Sequence, residues 1–280
     1  MFRKALVVCL VICMAAVPAL SAHLVFKVKS GNILDMEALL AELRDVDIVT
    51  IGEQHDNRQH HAVQLNVIRT LHEADIPVAV GFEMFGTRSQ EELDAWVAGR
   101  SSEDDLFRVY SRDWQINLYP LYRDIFLYAR EHRLPMLGLN VDREVVSQVA
   151  REGFESLKEE QRGKIRVASC NIDQEYQEVL ARVIGQKGGS KALFNRFCEA
   201  QVVWDSAMAV NAIEYVQANP DTVVVILAGN FHAWNRGIPH QIKLRTEGKL
   251  KTRAILPASD TSFFNYEVVT RDADYVWWFE

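Results

Sequence analysis

The sequence predicts an α/β fold, a mainly parallel β-sheet flanked by helices with a smaller helical cap subdomain. Three observations carry that expectation. Ile48-Val49-Thr50-Ile51 and Val223-Val224-Val225-Ile226-Leu227-Ala228 are β-branched runs of strand length, continuous in the way of strands buried on both faces. Each runs into a Gly and then a His three residues on, as Gly52-Glu53-Gln54-His55 and Gly229-Asn230-Phe231-His232. Strand-length runs also alternate with helix-period segments, the pattern of a sheet covered on both sides.

The elements follow in order. Leu24–Lys29 alternates weakly and reads as an edge strand closed by a Ser30-Gly31-Asn32 turn. Asp35 is placed to cap a helix over Met36–Leu43. Val46–Ile51 is the first core strand. From Asn57 to Ala74 the period is helical, with Val63, Leu65, Val67, Ile68 and Leu71 forming an inward stripe. Pro77 restarts the chain as the strand Val78–Phe82, ending at Glu83. Residues 89–131 are helical and rich in Trp, Tyr and Phe, and the strand Pro135–Leu139 follows, ending at Asn140. From Asp142 to Asn219 the chain reads as helices, broken near Gly153, Gly163 and Gly185–Gly189. After the Val223–Ala228 strand come a short helix from Ile238 and strands at Thr252–Leu256 and Tyr275–Phe279. The helices of roughly 89–131 and 150–200 exceed what crossovers need and are assigned to the cap.

The first 22 residues read as a secretory signal peptide rather than part of the domain at 23–280. Arg3 and Lys4 precede an apolar run from Ala5 to Val17, and small residues around Ala22 follow, too short and wrongly flanked for a resident span. Cys9 and Cys13 lack a small preceding residue, which disfavours a lipid anchor. The expected location is the periplasm or the periplasmic side of a membrane. Losing Arg3 and Lys4 takes the basic residues from 31 to 29 against 38 acids, a net charge of −9. An acidic chain is poorly suited to nucleic acid, which draws on clustered Lys and Arg. Cys170 and Cys198 then form an even pair in an oxidising compartment, as a disulfide or as two buried thiols.

Four predicted strands end at polar residues: Glu53 with His55, Glu83, Asn140, and Asn230 with His232. In open α/β sheets ligands bind beyond the strands' carboxyl ends. Two carboxylates and two imidazoles there suit a divalent metal such as Zn or Mn held by Glu53, His55, Glu83 and His232. Without a metal the same groups suit general acid/base work. Glu53 is the sharpest case, since an unpaired carboxylate after an apolar run is costly to bury.

These segments, together with Gly81-Phe82-Glu83-Met84, Gly138-Leu139-Asn140 and Gln201–Asp205 with Met208-Ala209, resemble the ChaN family of haem-binding uptake proteins. That family lies within the Tiki/TraB/erythromycin-esterase superfamily, marked by two Gly-x-x-His motifs with a Glu between them. The resemblance runs from about residue 45 to 245. It implies an α/β domain with a smaller helical domain, haem as cofactor, and a role in haem or iron uptake. The partners it implies are haem, an outer-membrane haem receptor or transport component, and a second copy of the chain as homodimer. Carried over by position, Glu53, His55, Glu83 and His232 are the site residues. Asn140, Asn230, Tyr119, Tyr122 and Arg123 are candidates for holding the porphyrin, Arg123 through a propionate. Trp114 and Tyr128 are further candidates for its aromatic wall, although aromatics at helical spacing also build cores. The alternative is a metal-dependent peptidase or esterase in which Glu53 or Glu83 is the general base. Phe231 departs from the family, which often has a small residue before the second His, and the expected effect is a narrower cleft. His60 and His61 read as exposed helix residues, and Trp277-Trp278 as strand packing. No Gly-x-Gly-x-x-Gly, Walker, His-Glu-x-x-His or Gly-x-Ser-x-Gly motif is present.

Overall fold

A computed structural model describes residues 24–163, 165, 178, 181, 191–258 and 272–278. The signal segment, Cys170, the Gly185–Gly189 break and Phe279 lie outside the described residues. In chain order the elements are β1 (Val25–Lys27), β2 (Asn32–Leu34), α1 (Met36–Leu43), β3 (Ile48–Glu53), α2 (Arg58–Glu73), β4 (Val78–Gly86), α3 (Gln90–Val97), α4 (Glu103–Asp113) and α5 (Tyr119–Glu131). Then follow β5 (Met136–Asn140), α6 (Arg143–Glu152), α7 (Glu159–Arg162), α8 (Lys191–Ala218), β6 (Val223–Gly229), α9 (Asn230–Ala233), α10 (Ile238–Thr246), β7 (Thr252–Ala258) and β8 (Tyr275–Trp278).

The strands form one sheet in the order β2-β1-β8-β7-β3-β6-β4-β5. From β8 to β5 the neighbours are parallel, while β1 pairs antiparallel with β8 and with β2. The expected turn after β1 is present over 28–31, with Gly31 N donating to Lys27 O at 2.9 Å, and Asn32 already opens β2, a three-residue strand too short to carry a period. Register across the centre matches Glu53 of β3 with Gly229 of β6, and Gly52 with Ala228. The two Gly-x-x-His motifs therefore leave the sheet side by side.

Alternation along β3 and β4 divides the core between two faces. Val49, Ile51, Val80 and Phe82 join Ile68, Leu71, Trp96, Tyr110 and Phe126 of α2 to α5 in one cluster. Ile48, Ala79, Val224 and Ile226 meet Met208, Ala209, Ala212 and Ile213 of α8 on the other. Burying each such Val, Ile or Leu side chain contributes about 1.5–3 kcal/mol, so both layers are held mainly by apolar contact. The helices of 89–131 thus share the core of the sheet itself. Those after β5 have their own cluster, in which Val146, Val149, Phe154 and Leu157 pack on Ala200, Val202 and Val203 of α8. Helix α8 is continuous through both and ties that group to the sheet.

The exposed edge of β5 is covered by a side chain acting as a surrogate strand. Gln90 Nε2 donates to Met136 O at 2.8 Å and Gly138 N donates to Gln90 Oε1 at 3.0 Å, which satisfies groups that would otherwise template pairing. Cys198 is buried and disulfide-bonded. Among the described residues no helix is long and apolar enough to cross a membrane.

Candidate functional site

The carboxyl ends of β3, β6, β4 and β5 are adjacent in the sheet, and a cleft of about 270 Å³ opens beyond them. His55, Glu83, Met84, Asn140, Trp204 and His232 line it, with Asp113 and Trp114 from the end of α4 and Arg143 at the start of α6. The two strand-end histidines thus share one cavity.

A Gly at each strand end can serve either a sharp backbone turn or a close approach. Neither has a positive φ; their role is close approach. A Cβ on Gly52 would lie 2.3 Å from Asn230 Oδ1 and 2.6 Å from Leu256 Cδ2, and one on Gly229 would lie 3.1 Å from His55 Cε1. Each motif's glycine makes room for a polar side chain of the other motif. Gly52→Ala is therefore expected to destabilise the protein by about 1–3 kcal/mol through overpacking, read from the urea midpoint. Adding Asn230→Ala should recover part of that loss, and an unchanged midpoint in the single variant would refute the contact argument.

Glu53 faces α2 and α5, with its side chain fully buried. Its carboxylate accepts from Gln64 Nε2 at 2.6 Å, from Tyr122 Oη, and pairs with His55 Nδ1 at 2.7 Å and His61 Nδ1 at 3.4 Å. Burial alone would raise this carboxyl, but the His55 hydrogen bond, the charges of His61 and His55, and Tyr122 hold it below the usual carboxylate range. Burial likewise works to lower His55, and is outweighed by its bond to Glu53 and by the charges of Glu83, Glu53 and Asp56, which raise it to about 9. The His55 side chain is 34% exposed and stands edge-on to Trp114, with ring centroids 5.1 Å apart.

Glu83 faces the other side of the strand ends. Its Oε2 accepts from Gly229 N at 2.7 Å, and its Oε1 lies 3.6 Å from His232 Nε2. The second His232 nitrogen, Nδ1, meets Asp205 Oδ1 of α8 at 2.7 Å. Burial opposes the charge on His232, but Glu83 and Asp205 raise its pKa, and burial pushes the Asp205 carboxyl up to about 6. The two carboxylates thus favour the charged form of His232 against its burial. Trp204 stands edge-on to it with centroids 5.2 Å apart. Asn140 fastens the strand ends, donating from Nδ2 to Glu83 O at 2.9 Å and accepting from Val141 N at 2.9 Å.

The four expected metal ligands pair off as Glu53–His55 and Glu83–His232, with His55, Glu83 and His232 lining the same cleft and Glu53 buried behind His55. Among the described residues no three or more His, Cys, Asp or Glu are arranged to hold a metal ion. The physical reason at Glu53 is that its oxygens are already engaged by protein donors. Several other expectations change as well. Tyr122 is buried against Glu53, and Tyr119 packs on Tyr110 and Phe126 in the core. Tyr128 is buried in the same cluster, its hydroxyl 2.8 Å from His72 Nδ1. Arg123 is engaged by Glu103 at 2.5 and 2.8 Å. None of these four lines the cleft. Asn230 is buried under Gly52, with neither amide atom hydrogen-bonded. Phe231 packs on Trp234 with centroids 5.4 Å apart, away from the cleft.

His60 and His61 are buried, not exposed. His60 Nδ1 accepts from Gln54 N at 2.8 Å, and His61 bonds Gln64 Oε1 at 3.1 Å and His55 O at 3.0 Å. Both precede the inward stripe of α2 by one helical turn, so extending its 3.6-residue period would have found them. Asp205 had a comparable signal, a lone carboxylate among Val202, Val203, Ala207 and Met208. Trp204 lay inside the Gln201–Asp205 segment without being singled out, and Arg143 had no signal.

A family model described as haem-binding uptake, Tiki superfamily, ChaN, matches residues 39–242, a span holding every residue that lines the cleft. The chain belongs to this family. ChaN of Campylobacter jejuni, solved with cofacial haem binding, is 19% identical and superposes with a TM-score of 0.71, over 91% of this chain and 96% of that one. An erythromycin esterase, EreC, in its open conformation is 16% identical, with a TM-score of 0.51 over 84% of this chain and 76% of that one. At these identities the likeness is one of fold. No curated protein matches the sequence. The ChaN-family fold accounts for the layers described above, a mainly parallel sheet between helices.

Proposed function

We propose that this ChaN-family protein binds haem in the cleft at the carboxyl edge of β3, β6, β4 and β5, in the service of haem or iron uptake outside the cytoplasm. The family match across the whole site-bearing span carries the reading. The residues present fit a flat, apolar, anionic ligand: Trp114, Trp204 and Met84 supply apolar wall, and His55 and His232 supply imidazole. At about 270 Å³ the cleft lies just below the usual range for ligand sites, so a porphyrin would enter by one edge and stay partly exposed. Haem, when bound, would supply an iron able to take a nitrogen ligand, which His55 or His232 would provide. His55 is the more accessible of the two histidines, and Glu53 fixes its ring through Nδ1. Asp205 and Glu83 hold the His232 ring in the same way from behind.

Export is supported by the basic and apolar pattern of residues 3–22, and mass analysis of the protein secreted from cells should place the mature N-terminus near His23. A transport partner or a second copy of the chain is the natural recipient of a partly exposed haem.

Titration of the purified protein with hemin should give a saturable Soret shift. His55→Ala is expected to weaken it on the order of 10- to 100-fold and to move the Soret maximum. A featureless response of the wild type would remove the haem reading.

A further inference from the structure

We propose that Arg143 receives a carboxylate of the bound porphyrin, so that the cleft selects an anionic tetrapyrrole over its neutral esters. The inference rests on the haem reading above and adds to it the residue that recognises the ligand's charge.

Every other basic group lining the cleft already faces a carboxylate within the protein. His55 is paired with Glu53, and His232 with Asp205. Glu83 is occupied by Gly229 N and faces His232. Asp113 is paired with Arg88, whose Nε also lies 3.3 Å from Asp142. That last contact matters most, because Asp142 is the acid next to Arg143 in sequence and is turned towards a different guanidinium. Arg143 is exposed, lines the cleft, and makes no ion pair or side-chain hydrogen bond among the described residues.

An unmatched guanidinium on a solvated helix face means little. One at the rim of a cleft whose other basic groups already face carboxylates is the cation left to meet an incoming anion. Guanidinium binds carboxylate through two parallel hydrogen bonds, and its planar donors suit a group carried on the edge of a flat ligand. Arg123, the propionate candidate from sequence, is engaged by Glu103 and lies off the cleft.

The test compares hemin with hemin dimethyl ester, which keeps the iron and the macrocycle but lacks both carboxylates. The wild-type chain should bind hemin at least about tenfold more tightly than the ester. Arg143→Glu should weaken hemin binding on the order of 10- to 100-fold and leave ester binding unchanged, with Arg143→Lys between. The Glu variant should fold, since the position is exposed and an acid suits the first turn of a helix. Equal weakening of both ligands by Arg143→Glu, or weakening of neither, overturns the assignment while leaving the haem reading standing. A wild-type chain that binds neither ligand overturns the haem reading, and the role of Arg143 with it.

Discussion

Glu53→Ala is expected to lower the unfolding free energy by about 3–5 kcal/mol, the cost of removing one side of a buried charge pair. The carboxylate is the common partner of His55, His61, Gln64 and Tyr122. Its loss leaves buried donors without acceptors, and a buried group left unmatched costs more than a hydrogen bond ordinarily contributes. Glu103→Ala is the control, because its partner Arg123 is exposed and surface pairs contribute little. The urea midpoint of Glu53→Ala should fall steeply while that of Glu103→Ala stays near the wild type; similar midpoints would mean the buried network is not what holds this corner. NMR titration should show His55 dropping from about 9 in Glu53→Gln, because burial remains and the attracting charge is gone.

The same pairing fixes a pH dependence of the ligand-free protein. His55 has a folded pKa of about 9 against an ordinary value of 6.5. Its stabilising contribution is complete below the unfolded value and is lost as pH rises through the folded one. His232 is raised as well and adds to the slope with the same sign. Asp205, raised to about 6, exerts its effect between 3.8 and 6, below that window. Stability should decline from about pH 6.5 to 9, and His55→Gln should flatten part of the decline. A slope untouched by that substitution would place the linkage elsewhere.

Gly138→Ala is expected to cost about 3 kcal/mol and to disturb ligand binding with it. A Cβ there would lie 2.4 Å from Gly86 O and 3.0 Å from Gly86 C. These are backbone atoms, which cannot swing aside as a side chain can. They belong to the end of β4, where its register with β5 shifts between Phe82 and Gly86. That irregular stretch carries Glu83, Met84 and Gly86 to the cleft, so the glycine permits the bend that brings Glu83 opposite His232. The hemin titration of Gly138→Ala should weaken along with its thermal midpoint. Gly31→Ala is the comparison for backbone freedom alone, since its added Cβ meets nothing within 4 Å although its φ is +73°.

The core strands and their polar ends were legible because a strand buried on both faces leaves a continuous apolar run, and a carboxylate or imidazole stands out at its end. Those runs at 48–51, 78–82, 135–139 and 223–228, with Gly52, Glu53, His55, Glu83, Asn140 and His232 at or beyond their ends, needed no tertiary information. Family membership followed from the same segments in the same order. Which way each end residue turns was decided only in three dimensions. Glu53 and Glu83 look alike as polar residues closing apolar strands, yet one faces α2 and α5 and the other faces α8. That division depends on strand register and on which helix covers which side of the sheet, and neither leaves a local pattern in the chain. Arg143 and Trp204 come to the cleft for the same reason, because α6 and α8 cross the sheet's carboxyl edge, a placement set by long-range packing rather than by any neighbouring residue.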